Sequence, residues 1–531
     1  MRAMMRMVLG LAVAVGGCGD TSVRDGVEGA DGADGATDVD ADDAADATDA
    51  GDEIDAADGT DDDGGDSHDA EVLAPVSCDD SGLGPLRLTV DGTALRDASG
   101  RRVTLRGVNA GGRSKFPPFV PFAYDDREGG APPFAEALAA YMDRLGDWGL
   151  NVVRMPFTWE AIEPVRGTYD AAFLARLDAM IDAAGARGIR VVLDFHQDVF
   201  AQRYCGDGFP EWALGDPDAP SPEDCSRWFL GYFQNADVQR DFDRFWNNDD
   251  GLRDAFEALW AMLAARYAGR DAVVGFEIIN EPGWGTRSPD VFTREVLTPF
   301  YERMVDVVRA VAPDSLVFVD ATGLDGVNAE TALERPARDG IVFAPHYYDG
   351  LALAGAAAGD EARAGEMLAK WAAVGEAWRV PVLIGEFGAP HTIPNAAVFM
   401  RAHWDAMERL GLHGTQWEYS VTGDDWNAES LSVVESDGGE REVAAELVRA
   451  YPVAVAGALE GWSFDRDSGE VVMALDADGV TLVAAPARLY PGGPEILSAE
   501  TSTHACIRWD TEREVLVIGG RGPVTVRFGP R

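Results

Sequence analysis

Two glutamates carry the strongest chemical signal in the chain. Glu281 ends the run Glu277-Ile278-Ile279-Asn280-Glu281-Pro282, where an apolar strand meets a proline that cannot continue a helix. Glu386 ends the run Val382-Leu383-Ile384-Gly385-Glu386, again a carboxylate emerging from a buried strand. Two carboxyl groups facing each other are what glycosidic cleavage needs. One protonates the leaving oxygen and the other attacks the sugar carbon. Taken singly, each reads as an ordinary surface acid. The two are 105 residues apart, about three strand–helix units at ~30 residues each, so a barrel would bring both to one rim.

Further polar residues sit at comparable places. Arg154 lies in Val153-Arg154-Met155-Pro156, His196 in Asp194-Phe195-His196-Gln197-Asp198, His346 and Tyr348 in His346-Tyr347-Tyr348, and Trp417 beyond the last apolar strand. Each has a plainer reading as well: Arg154 as an ion-pair former, His196 as a satisfied core histidine, Trp417 as packing.

Positioning these groups requires a regular scaffold, and the pattern supplies one. Short apolar strands are expected at 104–108, 151–155, 190–195, 273–279, 316–320, 341–345, 382–386 and 414–418. Amphipathic helical stretches, among them 173–184, 252–267, 298–311 and 361–378, lie between them. Eight such strands alternating with helices predict an α/β fold, a (β/α)₈ TIM barrel with long loops, over residues 76–451. A doubly wound open sheet is the competitor, but no G-x-G-x-x-G opening supports it. A small hairpin over 87–103 precedes the barrel. From 452 to 531 the pattern changes to short strands separated by Pro, Gly and Asp, which predicts a C-terminal β-sandwich.

The chain has 531 residues and a formal net charge of −48. That excludes a nucleic-acid backbone as natural partner and disfavours polybasic docking on anionic lipid. Residues 1–74 hold 21 acids against three arginines. Within them, residues 1–18 combine arginines, an apolar run over 7–15 and Val15-Gly16-Gly17-Cys18. The apolar run is too short to span a bilayer but suits a signal-peptide core. Residues 19–74, nearly all Asp, Ala, Gly and Thr, are expected to be a disordered acidic linker with ends roughly 40 Å apart. No window in it has calcium-loop spacing. The remaining four cysteines permit disulfides in an exported chain. Cys205 with Cys225 is the natural pair, and Cys78 with Cys506 would join the two ends of the folded region. No metal spacing and no cofactor motif is found.

Asn280-Glu281-Pro282 with Glu386 downstream resembles glycoside hydrolase family 5, the retaining two-glutamate barrel enzymes. Arg154, His196, His346, Tyr348 and Trp417 match that family's pattern in order. The resemblance implies that Glu281 is the acid/base, Glu386 the nucleophile, and Asn280 a ligand of the sugar 2-hydroxyl. It also implies that Arg154 and Tyr348 support Glu386, and that Trp417 stacks on sugar. Within the family, Asp194-Phe195-His196-Gln197-Asp198 and the long loop Cys205-Gly206-Asp207-Gly208-Phe209-Pro210 resemble the endoglycoceramidases and related glycolipid-cleaving members, in which a C-terminal sandwich is also seen. There His196, Asp198 and Lys115 would hold hydroxyls of the glucose next to the lipid. Val15-Gly16-Gly17-Cys18 resembles a bacterial lipobox, which implies acylation of Cys18 and an exported, membrane-anchored lipoprotein.

An apolar path beside the sugar site is offered by Phe116, Phe119, Val120, Phe122, Phe209, Trp212, Trp228, Phe229, Tyr232 and Phe233 on the first and third loops. A core internal to those loops is the alternative. Three functions are therefore in play. The first is a monomeric, membrane-anchored retaining β-glycosidase releasing a glycan or a single glucose from ceramide, sterol or another hydrophobic aglycone. The second is an endo-β-glucanase or mannanase of the same family. The third is a non-catalytic glycan-binding surface protein.

Overall fold

The computed structural model describes Cys78 and residues 85–531, apart from 126–129, 423–425 and 502–504. The expected leader with Cys18 and the linker over 19–74 lie outside the described residues. A ribbon of three short strands, β1 (Thr89–Asp91), β2 (Ala94–Arg96) and β3 (Arg102–Val103), opens the described chain. Eight parallel strands follow: β4 (Arg106–Asn109), β5 (Val152–Phe157), β6 (Arg190–Phe195), β7 (Val273–Glu277), β8 (Leu316–Val319), β9 (Ile341–Phe343), β10 (Leu383–Ile384) and β11 (His413–Gln416). Each pairs with the next in sequence. β11 returns to β4 through Gly414↔Arg106, and the Phe343↔Val382 bridge joins β9 to β10, so the ring closes as a TIM-type barrel. Strands buried on both faces read as largely apolar runs, which made most of the eight visible in the sequence, while β4 and β11 are buried yet mostly polar or glycine.

Five of the eight strands, β7 to β11, end earlier than the apolar runs suggest. β7 stops at Glu277 and β10 at Ile384, because the residues beyond leave the ladder to present side chains at the barrel mouth. Helices stand at the expected places, including Ala171–Gly185, capped by the Asp170 carboxylate, and Glu361–Trp378, capped by Asp360.

The C-terminal region is antiparallel: β12 (Tyr451–Val455), β13 (Gly457–Phe464), β14 (Val471–Ala484), β15 (Glu495–Thr501), β16 (Cys506–Asp510) and β17 (Val515–Gly529). The segments 471–475, 480–484, 515–518 and 524–528, expected as four separate short strands, are two long ones. β14 and β17 pair without interruption from Val471↔Phe528 to Ala484↔Val515. The Asp- and Gly-rich stretch 476–479 reads as a turn, yet it pairs with 520–523 in mid-ladder, where Asp476 and Asp478 face solvent and Ala477 is buried. One half of this long pair carries β13 and β15, and the other carries β12 and β16.

The opening ribbon, grouped by sequence with the barrel, pairs instead with this C-terminal sheet through Val103↔Ala454. Leu482, Val515 and Val517 share a buried cluster with Val152, Val192 and Val274, so the sheet packs on the end of the barrel where its strands begin. The opposite end is left to the loops that follow the strands.

Both disulfides are formed, Cys205–Cys225 and Cys78–Cys506. Of the ten loop residues offered as an apolar path, Val120, Phe122, Phe209 and Tyr232 are buried, and Phe119, Trp212, Trp228 and Phe233 pack against the same core. Phe116 is half-buried, and Phe229 alone is exposed. Long loops need a core of their own, and this one consumes most of those side chains.

Candidate active site

Arg154, on β5, is wholly buried and organises the barrel mouth. Its Nη1 donates to Glu386 Oε1 at 2.7 Å and to Asn109 Oδ1 at 2.9 Å. Its Nε and Nη2 grip Glu277 at both oxygens, at 2.9 and 2.8 Å, and Nη2 also donates to Asn280 Oδ1 at 2.9 Å. Asp194 Oδ2 stands 3.1 Å from Nη2. Burial opposes the guanidinium charge, but Asp194, Glu277 and Glu386 outweigh it and hold the group cationic. A fork of fixed donors facing several carboxylates is the arginine geometry that a lysine cannot reproduce.

Glu386 is nearly buried. Besides Arg154 it accepts a hydrogen bond from Tyr348 Oη on Oε2 at 2.9 Å. Burial alone would raise its pKa, but the charges of His346, Arg154, His196 and Lys115 together bring the carboxyl below its ordinary range. It is therefore an anion at neutral pH, which is the state a nucleophile needs.

Glu281 is held by its backbone as much as by its side chain. Its φ is +37°, in the left-handed region that a non-glycine residue enters at a cost, and Pro282 restricts it further. Two side chains clamp the peptide there. Asp320 Oδ2 accepts the Glu281 N–H at 2.9 Å, and Gln197 Nε2 donates to the carbonyls of Asn280 and Glu281 at 2.8 and 2.9 Å. Strain of this kind, held by dedicated partners, marks a residue aimed for a purpose. The carboxyl meets His346 Nδ1 at 2.9 Å. A Cβ on Gly323 would lie 2.4 Å from Glu281 Oε2, so the glycine makes room for it.

His346 stands between the two acids. Its Nδ1 is 3.6 Å from Glu386 Oε2, and its Nε2 is 3.4 Å from Asp320 Oδ2. Burial lowers its pKa, but Asp320, Glu386 and Glu281 outweigh this and carry it to about 10. An oxygen of Glu281 lies within 4.8 Å of one of Glu386. An inverting pair stands ~6.5–9.5 Å apart to leave room for water, and this approach is closer.

On the far side of Glu386, His196 Nδ1 contacts Asp194 Oδ2 at 2.8 Å, and its ring stacks on Trp417 at 5.1 Å with 12° between planes. Lys115 Nζ donates to Asp198 Oδ2 at 2.6 Å and lies over the rings of Trp426 at 3.8 Å and Trp417 at 4.5 Å. Trp417 Nε1 faces Glu429 at 3.4 Å; burial pushes that carboxyl up to about 7. Thus Lys115, Arg154, His196, Asp198, Asn280, Glu281, His346, Tyr348, Glu386 and Trp417 are all brought to one rim. Among the described residues, the three acid–histidine groupings close enough to hold a metal ion each contain or touch a cation of the protein, namely Lys115, Arg154 or His346.

Sequence reasoning assigned no role to Glu277, Asp320, Asp194, Gln197 or Glu429. A signal existed for Asp194: Asp194, His196 and Asp198 alternate, so they share one face of a strand, and three polar groups on one face of an apolar run ask for partners. Glu277 likewise is an acid inside a buried strand.

A family model described as cellulase, glycosyl hydrolase family 5, matches residues 97–423, more than half of the chain. The chain is 28% identical to endoglycoceramidase I of Rhodococcus hoagii over 471 residues, 83% of this chain and 88% of that one. An endoglycoceramidase of Cyanea nozakii is 30% identical over 243 residues, 39% of this chain and 47% of its own. Among solved structures, endo-glycoceramidase II from Rhodococcus sp. in complex with ganglioside GM3 superposes with a TM-score of 0.69 at 27% identity, covering 83% of this chain and all of that one.

Proposed function

Because the chain belongs to glycosyl hydrolase family 5, we propose that it cleaves, with retention, the bond between a glucose-containing glycan and a hydrophobic aglycone, releasing intact oligosaccharide and ceramide from glycosphingolipids. It is a glycoside hydrolase, and two of the proteins similar to it over most of their own length are endoglycoceramidases. The observation that carries the mechanism is the pair Glu281 and Glu386, an oxygen of each within 4.8 Å of the other, with one of them locked as an anion.

Glu386 attacks the anomeric carbon of the glucose while Glu281 gives its proton to the departing oxygen, and the aglycone alcohol leaves. In the second half, Glu281 takes a proton from water as that water attacks the same carbon and Glu386 is released. A lactosyl-enzyme intermediate has been solved for the Rhodococcus relative, which supports this sequence of steps. Asn280 spends its carbonyl on Arg154 and one N–H on Gln197 O, so its other N–H is left for the sugar 2-hydroxyl. His196, Asp198 and Lys115 hold the hydroxyls on the opposite edge of that glucose, and Trp417 forms the wall beneath it.

The leader and linker extend the proposal: acylation of Cys18 anchors a monomeric, exported enzyme through the acidic segment that follows it, which suits a substrate presented in membranes. Product analysis on a lactose-headed ganglioside, glucosylceramide and carboxymethyl cellulose tests the specificity. Intact oligosaccharide plus ceramide from the ganglioside is expected, with Glu386→Gln folded and inactive. Glucose from glucosylceramide alone would make the enzyme exo-acting, cleavage of cellulose alone would overturn the lipid reading, and an active Glu386→Gln would remove the nucleophile.

A further inference from the structure

Most apolar side chains of the first and third loops are spent on packing, with Phe229 alone exposed and Phe116 half-buried, so a hydrophobic aglycone needs further surface. That surface is on the loop after β9. Its short helix Gly350–Leu353 leaves Leu351 51% and Leu353 39% exposed, and residues 353–358, all Leu, Ala or Gly, are exposed without a break. Val398, 46% exposed, belongs to the helix Ala396–Leu410, onto which this loop is seated. Gly359 packs against the Phe399 ring and exchanges two hydrogen bonds of 2.8 Å with the Asn395 side chain. Single exposed aliphatics are ordinary, but an uninterrupted uncharged run joined to a neighbouring one is not.

Its position follows from the chemistry. Glu281 gives its proton to the leaving oxygen, so the aglycone departs on the Glu281 side, while Lys115, His196, Asp198 and Trp417 hold the sugar on the Glu386 side. The helix Gly323–Asn328 begins against the Glu281 carboxyl. A Cβ on Gly350 would meet Val327 of that helix at 3.8 Å, so the apolar loop is the next structure outward from the acid.

We propose that residues 351–358, with Val398, form a lip that docks on the surface of an uncharged or zwitterionic lipid assembly, so that a glycolipid rises into the cleft while its aglycone stays against the lip. This rests on the glycolipid reading given above. A lipid surface suits the lip better than a protein does, because Leu, Ala and Gly offer bulk and no directional group. The chain's net charge of −48 selects against anionic surfaces.

The test uses the full chain with Cys18→Ser throughout, so that no acyl group contributes. Phosphatidylcholine vesicles with and without lactosylceramide are sedimented with the protein, and kcat/KM is measured on the vesicles and on a soluble nitrophenyl β-lactoside. Leu351→Ser/Leu353→Ser should weaken vesicle binding and vesicle turnover about tenfold or more and leave the soluble substrate within about twofold. Val311→Ser, which trims an exposed aliphatic before β8 at the closed end of the barrel, should change neither. Equal losses on both substrates, or an unaltered vesicle affinity, would overturn the docking proposal. Wild-type protein that binds vesicles through these leucines but leaves lactosylceramide uncut would keep the docking surface and overturn the substrate assignment.

Discussion

At the residue scale, the catalytic centre is a problem of charge accounting. Within one buried mouth stand Asp194, Glu277, Glu281, Asp320 and Glu386, opposed by Arg154, His196 and His346. The arrangement is stable only because each carboxylate has a cation or a fixed donor within reach, since unpaired buried charge is costly. His346 is the pivot. It faces Glu281 on one side, Glu386 on another and Asp320 behind, with Glu277 also within electrostatic reach. Its raised pKa, near 10, keeps it cationic through neutral pH, and that charge is lost as pH rises through the same value. Asp320 is the largest of the influences raising it and also accepts the Glu281 N–H. Asp320→Asn should therefore bring the loss of the His346 charge to lower pH, read from its imidazole signal in an NMR pH titration, and reduce kcat roughly 10- to 100-fold. An unshifted titration would reduce Asp320 to a structural role. The residues at strand ends were legible because apolar runs stop at them. Asp320 also ended an expected strand, but a lone acid there reads as ordinary, and its purpose is visible only once His346 and Glu281 arrive from other strands.

At the scale of elements, strand ends position the chemistry and small residues after them make it possible. β7, β8 and β9 deliver Glu281, Asp320 and His346, and the helix Gly323–Asn328 covers the acid with a residue that has no side chain. Gly323→Ala would set a methyl 2.4 Å from Glu281 Oε2 and displace the proton donor. A shift on the order of 1 Å at a reacting group costs about 100-fold, so kcat should fall by roughly 10- to 100-fold with KM and unfolding midpoint nearly unchanged. A kcat within twofold of wild type would mean that the carboxyl has room to yield. Most of the eight strands were readable because burial on both faces leaves a largely apolar run, and β4 and β11, mostly polar or glycine, followed from the alternation of strands with helices. Gly323 was not, since a glycine after a strand reads as punctuation until the atom it accommodates is known. The apolar loops were misleading for the opposite reason: composition registers hydrophobicity, while only packing decides whether it faces a core or solvent.

At the scale of the whole molecule, the two ends of the barrel are divided between stability and function. The C-terminal sheet takes in the opening ribbon β1–β3 and closes the end where the strands begin, while every catalytic group stands at the other. That ribbon's partner was illegible because β3 and β12 are separated by the entire barrel, and no local pattern encodes a pairing at that distance. The cysteines did encode it, since Cys78–Cys506 joins the same two regions across 428 residues. A cross-link over so long a loop restricts the unfolded chain, and about 2–4 kcal/mol is typical of such bonds. The double variant Cys78→Ser/Cys506→Ser should therefore unfold at a lower denaturant midpoint while keeping wild-type kcat/KM on a soluble β-lactoside under native conditions. The separation of effects is the point of the experiment, because the disulfide lies with the sheet at the closed end. A loss of turnover in protein that remains folded would show that this sheet shapes the catalytic mouth through the barrel, and would end the division of labour argued from its placement.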